Sequence, residues 1–192
     1  MKNHIVPALR LTLVMLILLA VIYPLLVAGI ATLAPGGGKG ETVLVNGGTA
    51  SPKIVGYKLI GQKFTEDRYF NSRPSAVDYN AAGSAGSNKG PSNPDYLQTV
   101  QARIDTFLVH NPGVQKADIS AELVTASGSG LDPDLSPGGA KIQVARIANV
   151  RGLSVEKLTQ LVDEHTEGPF LGILGPAKVN VLQLNVSLDE LK

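Results

Sequence analysis

Cysteine does not occur among the 192 residues of this chain, and neither does tryptophan. Without cysteine, the chain can form no disulfide bond, no thiolate nucleophile and no cysteine-ligated zinc site, and it is compatible with an oxidising compartment. Lysine and arginine form no cluster, and the formal net charge is only +1. Nucleic-acid-binding faces need concentrated positive charge, and five tyrosines and four phenylalanines offer few stacking platforms. We therefore expect no nucleic-acid partner.

Charged side chains are also missing from residues 11–38, a stretch whose apolar core covers residues 11–33. At about 1.5 Å per helical residue, this core spans about 34 Å, which is enough to cross a hydrocarbon layer of about 30 Å. The apolar region of a signal peptide usually has about 7–15 residues, so the sequence favours a retained transmembrane anchor over a cleaved signal peptide. One span without ionisable groups cannot enclose a transport pathway by itself.

Basic residues flank this span mainly on one side. Lys2 and Arg10 precede it, whereas only Lys39 follows closely. Because short cytoplasmic segments carry an excess of lysine and arginine, we expect the N-terminus in the cytoplasm and the rest of the chain outside. Pro24 lies in the middle of the span, where it removes a backbone hydrogen bond and predicts a kink against which a neighbouring helix packs. The alternative is that Pro24 reflects only the higher frequency of proline in membrane helices.

We divide the chain into a cytoplasmic tip with a transmembrane anchor, residues 1–35, and a soluble extracytoplasmic domain, residues 36–192. A flexible Pro-Gly-Gly-Gly hinge is predicted to join them. In the domain, strands come first, helices in the middle and a strand last, which is typical of an α+β fold. The predicted strands are residues 42–45, 53–60, 119–126 and 179–188, with the first two in a hairpin, and the predicted helices are residues 93–111, 136–152 and 153–168.

Three segments have residue types that can carry chemistry, and each has a structural alternative. The glycine-rich run at residues 127–137 has the composition of a phosphate-binding turn, but it completes no phosphate motif, which favours a structural turn. Ser154 and Lys157 have the S-x-x-K spacing of serine acyl-transfer enzymes, yet the partner motifs are missing and Ser154 fits a helix cap. The acidic residues around His165 point in different directions, as at a solvated helix end. We predict no catalytic residue and no metal ligand.

A further cluster lies where the hairpin region leads into a long polar loop, residues 71–93. It contains two arginines and two aromatic residues, and such side chains dominate protein interfaces. The alternative is that the aromatic pair attaches the loop to its own domain. Together with Pro24, the interface candidates are Arg68, Tyr69, Phe70 and Arg73.

Several runs of the sequence resemble the KdpC family, the small C subunit of the bacterial potassium-transporting P-type ATPase. They are residues 64–75, 94–96 and 123–137, and the likeness extends from the N-terminal span to Leu191. The resemblance implies an accessory, non-catalytic subunit of a high-affinity ATP-driven potassium uptake complex in the bacterial inner membrane. The implied partners are a potassium-channel-like subunit, an ATP-hydrolysing subunit and a small hydrophobic subunit. The chain has no Asp-Lys-Thr-Gly motif and cannot itself be the phosphorylated subunit.

The family is described as a catalytic chaperone that raises the ATP affinity of the hydrolysing subunit. Its proposed nucleotide contact lies in a segment likened to the Leu-Ser-x-x-Gln signature, which corresponds here to residues 153–157. By resemblance, ATP would contact Ser154 and Lys157. Lysine in place of glutamine removes an acceptor and adds a charge, however, so the residues themselves imply no bound cofactor.

The expected orientation creates a conflict with this chaperone role, because an extracytoplasmic domain cannot contact cytoplasmic ATP. The alternative is a domain that braces or caps the outer face of the potassium-entry subunit without touching nucleotide. Any effect on ATP affinity then passes through the complex as allosteric coupling.

Overall fold

The computed structural model describes residues 2–45 and 52–191. The chain forms two compact units, Met1–Thr42 and Val43–Lys192. Within the first unit, the stretch His4–Ala31 is helical and is long and apolar enough to cross a membrane. The predicted span is therefore present as one extended helical segment.

This segment is not uniformly α-helical. A π-helical turn (Leu18–Ile22) separates α1 (Lys2–Ile17) from α2 (Tyr23–Ala31), and a 3₁₀ turn (Pro35–Gly38) follows. In that 3₁₀ turn, Gly36 and Gly37 have φ values of 72° and 62°. Glycine adopts this left-handed conformation without the steric cost of a side chain, which lets the chain turn sharply after the helix.

Beyond the anchor, helices are combined with two small sheets. One sheet pairs β1 (Thr42–Val45) with β2 (Lys53–Tyr57). The other contains β3 (Asp134–Leu135), β4 (Thr166–Glu167) and β5 (Lys178–Asn180), with β5 in the middle and antiparallel to both neighbours. The helices of this unit are α3 (Pro94–His110), α4 (Pro137–Lys141), α5 (Val144–Arg151), α6 (Val155–Glu164) and α7 (Val181–Glu190). The α+β class is confirmed.

The core lies where α6 packs against α4, α5 and α7. Each helix places apolar side chains towards the others, and these positions are fully shielded from solvent. The side chains with 0% exposure include Phe70, Ile147, Leu158, Val162, Leu184 and Leu188. Phe70 is the member of this set that comes from no helix or strand, so the segment around it is part of the core.

The strand predicted for residues 179–188 is wrong over most of its length, because α7 begins directly after β5. Alternating apolar residues suggested a period of two, but Val181, Leu184 and Leu188 also recur at helical spacing, and all three are buried. The Asn180 side chain resolves the ambiguity. Its carboxamide oxygen accepts a hydrogen bond from the backbone amide of Gln183 at 3.0 Å, which caps the helix N-terminus.

The strand predicted for residues 119–126 is also wrong. The chain forms a short 3₁₀ turn there, Ala121–Leu123, and another directly before it, Lys116–Asp118. The amide and the hydroxyl of Thr125 both donate to the carbonyl of Ala121, at 2.9 and 2.7 Å. These local bonds satisfy the backbone without a neighbouring strand, which overrides the β propensity of the segment.

The predicted helices are present close to their expected positions, but their first and last residues differ from the prediction. The predicted helix at residues 136–152 is interrupted between α4 and α5, and the next one ends at Glu164. Asn93 caps α3 as expected, since its side chain accepts from the Tyr96 amide at 3.0 Å. The core-facing stripe of α3 is shorter than predicted, because Phe107 packs on the core while Leu97 is 52% exposed.

The hairpin prediction is confirmed in its strands, which lie side by side as β1 and β2. β2 ends at Tyr57, three residues earlier than expected. The predicted turn at residues 46–51 lies outside the described residues.

Substitutions in α7 distinguish the helix from the alternating strand. Leu184→Ala removes a side chain with 0% exposure and is expected to lower the free energy of unfolding by about 2–5 kcal/mol. Val186→Ala is the matched control, because Val186 is only half-buried, and about 1 kcal/mol is expected. Urea unfolding of the detergent-solubilised chain, followed by circular dichroism, measures both. Equal losses at the two positions would instead indicate a strand with both residues on its buried face.

Candidate functional site

The segment around Phe70 passes through the core without regular secondary structure, and its buried backbone groups bind side chains. The carboxamide of Asn185 on α7 accepts from the Phe70 amide at 2.9 Å and donates to the Phe70 carbonyl at 2.9 Å. Asn185 is 2% exposed. Because a buried backbone amide or carbonyl without a partner is costly, this one side chain replaces a neighbouring strand.

Gln143 binds the next residue in the same way. Its side-chain oxygen accepts from the Asn71 amide at 2.8 Å, and its side-chain nitrogen donates to the Asn71 carbonyl at 3.1 Å. Gln143 has 0% exposure and lies at the interruption between α4 and α5. We call Asn185 and Gln143 together the amide clamp, since they hold two consecutive residues by four hydrogen bonds.

A buried arginine extends this network. The guanidinium of Arg146 on α5 donates to the Tyr69 carbonyl at 3.1 Å, to the Gln143 side-chain oxygen at 2.9 Å and to Asn111 at 3.0 Å. It also donates to the carbonyl of Asp67, whose carboxylate lies 3.7 Å away. Desolvation lowers the pKa of Arg146, and the Asp67 carboxylate acts in the opposite direction. The charged guanidinium of Arg146 therefore holds the segment around Phe70 in place.

Tyr69 lies between two arginines at the edge of the same segment. The guanidinium carbons of Arg68 and Arg151 lie 4.8 and 5.0 Å from the centre of its ring, within the range of cation–π attraction. Its hydroxyl accepts from Arg68 at 2.7 Å and donates to Asp189 at 2.9 Å. The hydrogen bond that Arg68 donates to the Tyr69 hydroxyl is the main reason that the pKa of Arg68 is raised. Arg151 also donates to Asp189 at 2.6 Å, so α5 and α7 are both tied to this ring.

Arg73 attaches the long loop to the glycine-rich run. It donates to the Asp132 carboxylate at 2.9 Å, and the Ser127 hydroxyl donates to the same oxygen at 3.1 Å. Gly130 adopts φ +69°, and a Cβ there would lie 2.6 Å from the carbonyl oxygen of Ala85. Residues 127–137 therefore bind the chain's own loop closely, in agreement with the structural alternative for this segment.

A cavity of about 650 Å³ lies beside Tyr69. Its walls come from both strands of the first sheet, from residues 62–66 and from α7. Its charged groups are of both signs, and they are Lys53, Lys63, Glu66, Asp189 and Glu190. The mixture does not single out a cation or an anion as ligand.

Four of the predicted interface residues lie on one segment, residues 68–73. In the structure, each of them contacts the chain's own domain. Phe70 is fully buried, whereas the side chain of Arg68 is 52% exposed and that of Arg73 is 25% exposed. Their interface role stays a prediction, and Arg68 is the member with most surface to offer. Sequence reasoning missed Gln143 and Asn185. The available signal was an amide side chain between apolar neighbours, as at Asn185 between Leu184 and Val186.

Ser154 and Lys157 lie one turn apart at the N-terminus of α6. The Ser154 hydroxyl oxygen accepts from the Lys157 backbone amide at 3.1 Å, and both residues are exposed. Ser154 therefore caps the helix. Glu156 adds a negative charge to the same turn, which opposes anion binding at this helix end.

The acidic and histidine residues near the end of α6 contact other parts of the domain. The two ring nitrogens of His165 lie 2.9 Å from the Leu161 carbonyl and 2.8 Å from the Ser187 hydroxyl, and Asp163 pairs with Lys141 at 2.7 Å. Across residues 2–45 and 52–191, no group of three such side chains is arranged to hold a metal ion.

Pro24 lies at the start of α2, directly after the π-helical turn. The Tyr23 amide donates to the Leu18 carbonyl, five residues earlier. Because proline has no amide hydrogen and its ring clashes with the carbonyl four residues before it, a widened turn at this place relieves the clash. The predicted irregularity of the span is thus a π-helical turn.

Comparison with known proteins places the whole chain in one family. Residues 5–190 match the family model KdpC, described as the K⁺-transporting ATPase, c chain. A potassium-transporting ATPase KdpC subunit of Flavobacterium psychrophilum is 59% identical over 192 residues, covering 100% of both chains. The corresponding subunit of Bacteroides fragilis is 50% identical over 188 residues, covering 96% of each. That of Caldanaerobacter subterraneus is 48% identical over 191 residues, covering 99% of this chain and 96% of its own. The chain belongs to the KdpC family.

The amide clamp is tested by replacing Asn185 with leucine, which has a similar size but no hydrogen-bonding groups. Asn185→Leu leaves the Phe70 amide and carbonyl buried without partners, at about 1–3 kcal/mol each. We therefore expect the free energy of unfolding to fall by about 2–6 kcal/mol. Asn149→Leu on α5 is the control, because Asn149 is exposed, and a change within about 0.5 kcal/mol is expected. A loss at position 185 no larger than at position 149 contradicts the clamp.

Proposed function

We propose that this chain is an accessory, non-catalytic subunit of an ATP-driven potassium uptake complex in the bacterial inner membrane. Its domain lies outside the cytoplasm and braces the outer face of a potassium-channel-like subunit. The observation that carries the proposal is the charge distribution around the apolar core at residues 11–33 of the candidate span: Lys2 and Arg10 precede this core, and residues 11–38 carry no charge. The positive-inside rule then directs the domain outwards.

The use of polar side chains in the domain supports a bracing role. The groups most suited to chemistry serve the fold: Arg146 and Gln143 hold backbone carbonyls, Ser154 caps a helix, and His165 lies between Leu161 and Ser187. These hydrogen bonds make the domain resist deformation. A subunit that braces its partner needs such a fixed shape. The proposed partners are the potassium-channel-like, ATP-hydrolysing and small hydrophobic subunits that the family resemblance implies.

The catalytic chaperone role is the second candidate. Ser154 and Lys157 are exposed at a helix N-terminus, where backbone amides and the helix dipole attract anions. Direct contact with ATP requires the domain to lie in the cytoplasm. In the orientation we propose, the chain changes ATP affinity only through coupling across the complex, for which about 1–3 kcal/mol is typical.

The orientation is tested by cysteine labelling, for which the cysteine-free chain is a clean background. Lys89→Cys places a thiol on an exposed part of the long loop, and His4→Cys places one at the N-terminal end of the candidate span, before its apolar core. With a membrane-impermeant maleimide added to intact cells that express the whole complex, we expect position 89 to react before lysis and position 4 only after it. The reverse pattern contradicts an extracytoplasmic domain.

The nucleotide contact is tested by two substitutions at Ser154. Ser154→Ala removes the cap and is expected to lower the stability of the chain by about 0.5–2 kcal/mol. Ser154→Asp keeps a capping group and adds a negative charge where phosphate would bind. We expect both complexes to keep the wild-type KM for ATP within about twofold.

Steady-state ATP hydrolysis by the purified complex gives these values, with subunit composition checked on the same preparations. An increase of about tenfold or more in KM for Ser154→Asp, with the complex intact, would establish direct contact with ATP. Loss of all activity in Ser154→Ala under the same conditions would revive the serine acyl-transfer alternative.

A further inference from the structure

The π-helical turn in the candidate span changes which backbone carbonyls find a partner. In an α-helix, each carbonyl accepts from the amide four residues later. In the π-helical turn, the Leu18 carbonyl instead accepts from the Tyr23 amide, five residues later. The α-helical pattern resumes in α2, whose N-cap is Ile22, so the Ile22 carbonyl accepts the first bond of that helix, from the Leu26 amide. The carbonyls between Leu18 and Ile22 therefore depend on the amides between Tyr23 and Leu26.

These amides are too few. The carbonyls of residues 19–21 need donors, and the residues in the matching stretch are Pro24 and Leu25. Proline has no amide hydrogen. Because every backbone carbonyl needs a partner when it is removed from water, one amide has to serve three carbonyls. Two of the three are left without a backbone donor.

Leu19 is one of these two in either helical pattern. Its α-helical donor would be the Tyr23 amide, which is directed to Leu18 instead. Its π-helical donor would be the residue five positions later, which is Pro24. Within the described stretch His4–Ala31, the backbone therefore offers no donor to the Leu19 carbonyl.

The depth of Leu19 in the span makes the missing bond costly. At about 1.5 Å per helical residue, Leu19 lies about 12 Å from Leu11 and about 21 Å from Leu33. In a hydrocarbon layer about 30 Å thick, such a position is out of reach of water and lipid headgroups. Lipid tails have no hydrogen-bond donors, and an unpaired backbone carbonyl among them is strongly unfavourable. The partner of Leu19 has to be a protein side chain.

The side chains of the span itself are poor candidates for this donor. Residues 13–31 include no serine, threonine, asparagine, glutamine or charged residue, and Tyr23 is their single member with a donating side chain. The rigid ring of Tyr23 holds its hydroxyl away from the backbone of its own helix. A second copy of this chain could donate at this depth only through Tyr23, so one substitution tests that alternative.

We propose that a hydroxyl or carboxamide side chain on a membrane helix of another subunit donates a hydrogen bond to the Leu19 carbonyl. The inference rests on the proposed function, which places the span in the membrane as part of a complex. A neutral donor fits, because residues 11–38 carry no carboxylate that could neutralise a lysine or arginine at this depth. The side chains of residues 18–25 are all exposed, so a neighbouring helix has access to the turn. Polar side chains commonly form such bonds between membrane helices.

Isotope-edited infrared spectroscopy tests this hydrogen bond directly. An isotopic label on the carbon and oxygen of the Leu19 carbonyl separates its stretching band from the bands of all other carbonyls. A hydrogen bond moves this band to lower frequency. The band is expected at lower frequency in the whole complex than in the full chain alone in lipid vesicles. The same frequency in the two samples overturns the inference.

Two substitutions control the measurement. Pro24→Ala returns an amide to position 24 and allows a regular α-helix, in which the Tyr23 amide donates to Leu19. The band is then expected at the lower frequency in the chain alone. If the unsubstituted chain alone already shows that frequency, its helix pairs the carbonyl by itself and the inference is wrong. Tyr23→Phe is expected to leave the band of the complex unchanged, and loss of the shift would instead indicate a second copy as the donor.

A second measurement uses association. Because Pro24→Ala pairs the Leu19 carbonyl within its own helix, recovery of the chain with its complex is expected to fall by about threefold, the typical effect of one hydrogen bond between membrane helices. Pro7→Ala is the matched control, since Pro7 also lies inside α1 but before the apolar core, and unchanged recovery is expected. Equal recovery of the two variants contradicts the bond.

Failure of the proposed function is recognised separately. If alkaline carbonate extracts the unsubstituted chain from membranes, the span is not inserted, and both the proposed function and this inference are wrong. If the chain resists extraction and copurifies with its complex but the Leu19 band does not shift, only the hydrogen bond is wrong.

Discussion

The domain depends on one constraint: the buried backbone groups of the segment that carries Phe70 through the core must be hydrogen-bonded. Within residues 2–45 and 52–191, no strand pairs with this segment, and two carboxamide side chains supply the bonds instead. Gln143 binds Asn71 from the interruption between α4 and α5. This break in the helix therefore lies where the carboxamide contacts the segment. Asn185 reaches Phe70 from α7, which has to be a helix capped by Asn180 for its buried face to carry both Leu184 and Asn185.

The same constraint explains why the polar residues of this chain are poor candidates for chemistry. Arg146 is a desolvated cation, and its donors are distributed over carbonyl and amide oxygens of the segment. Arg151 and Asp189 fix Tyr69 from two helices. Such networks are stable only when all members are present, and they give the domain one shape.

The sequence predicted the features that depend on local chemistry. Asn93 and Ser154 were identified as helix caps, and both accept the expected backbone amide. The apolar span was recognised from its length, and the place of its irregularity followed from Pro24. The errors arose where local patterns are ambiguous: residues 179–188 fit both periods, and Thr125 satisfies backbone groups that a strand would otherwise pair. The amide clamp was beyond prediction, because its partners are separated by 72 and 115 positions along the chain.

The sequence by itself determined the candidate membrane span, the α+β class and the family, because a long apolar run, helix caps and ordered motifs are readable residue by residue. Only the tertiary structure decided what the conspicuous residues do. Arg68, Tyr69 and Arg73 contact their own domain, and residues 168–177, an ordinary connection in the sequence, carry four exposed large apolar side chains. Burial depends on which distant segments meet, and that information is spread over the whole chain rather than held in any one motif.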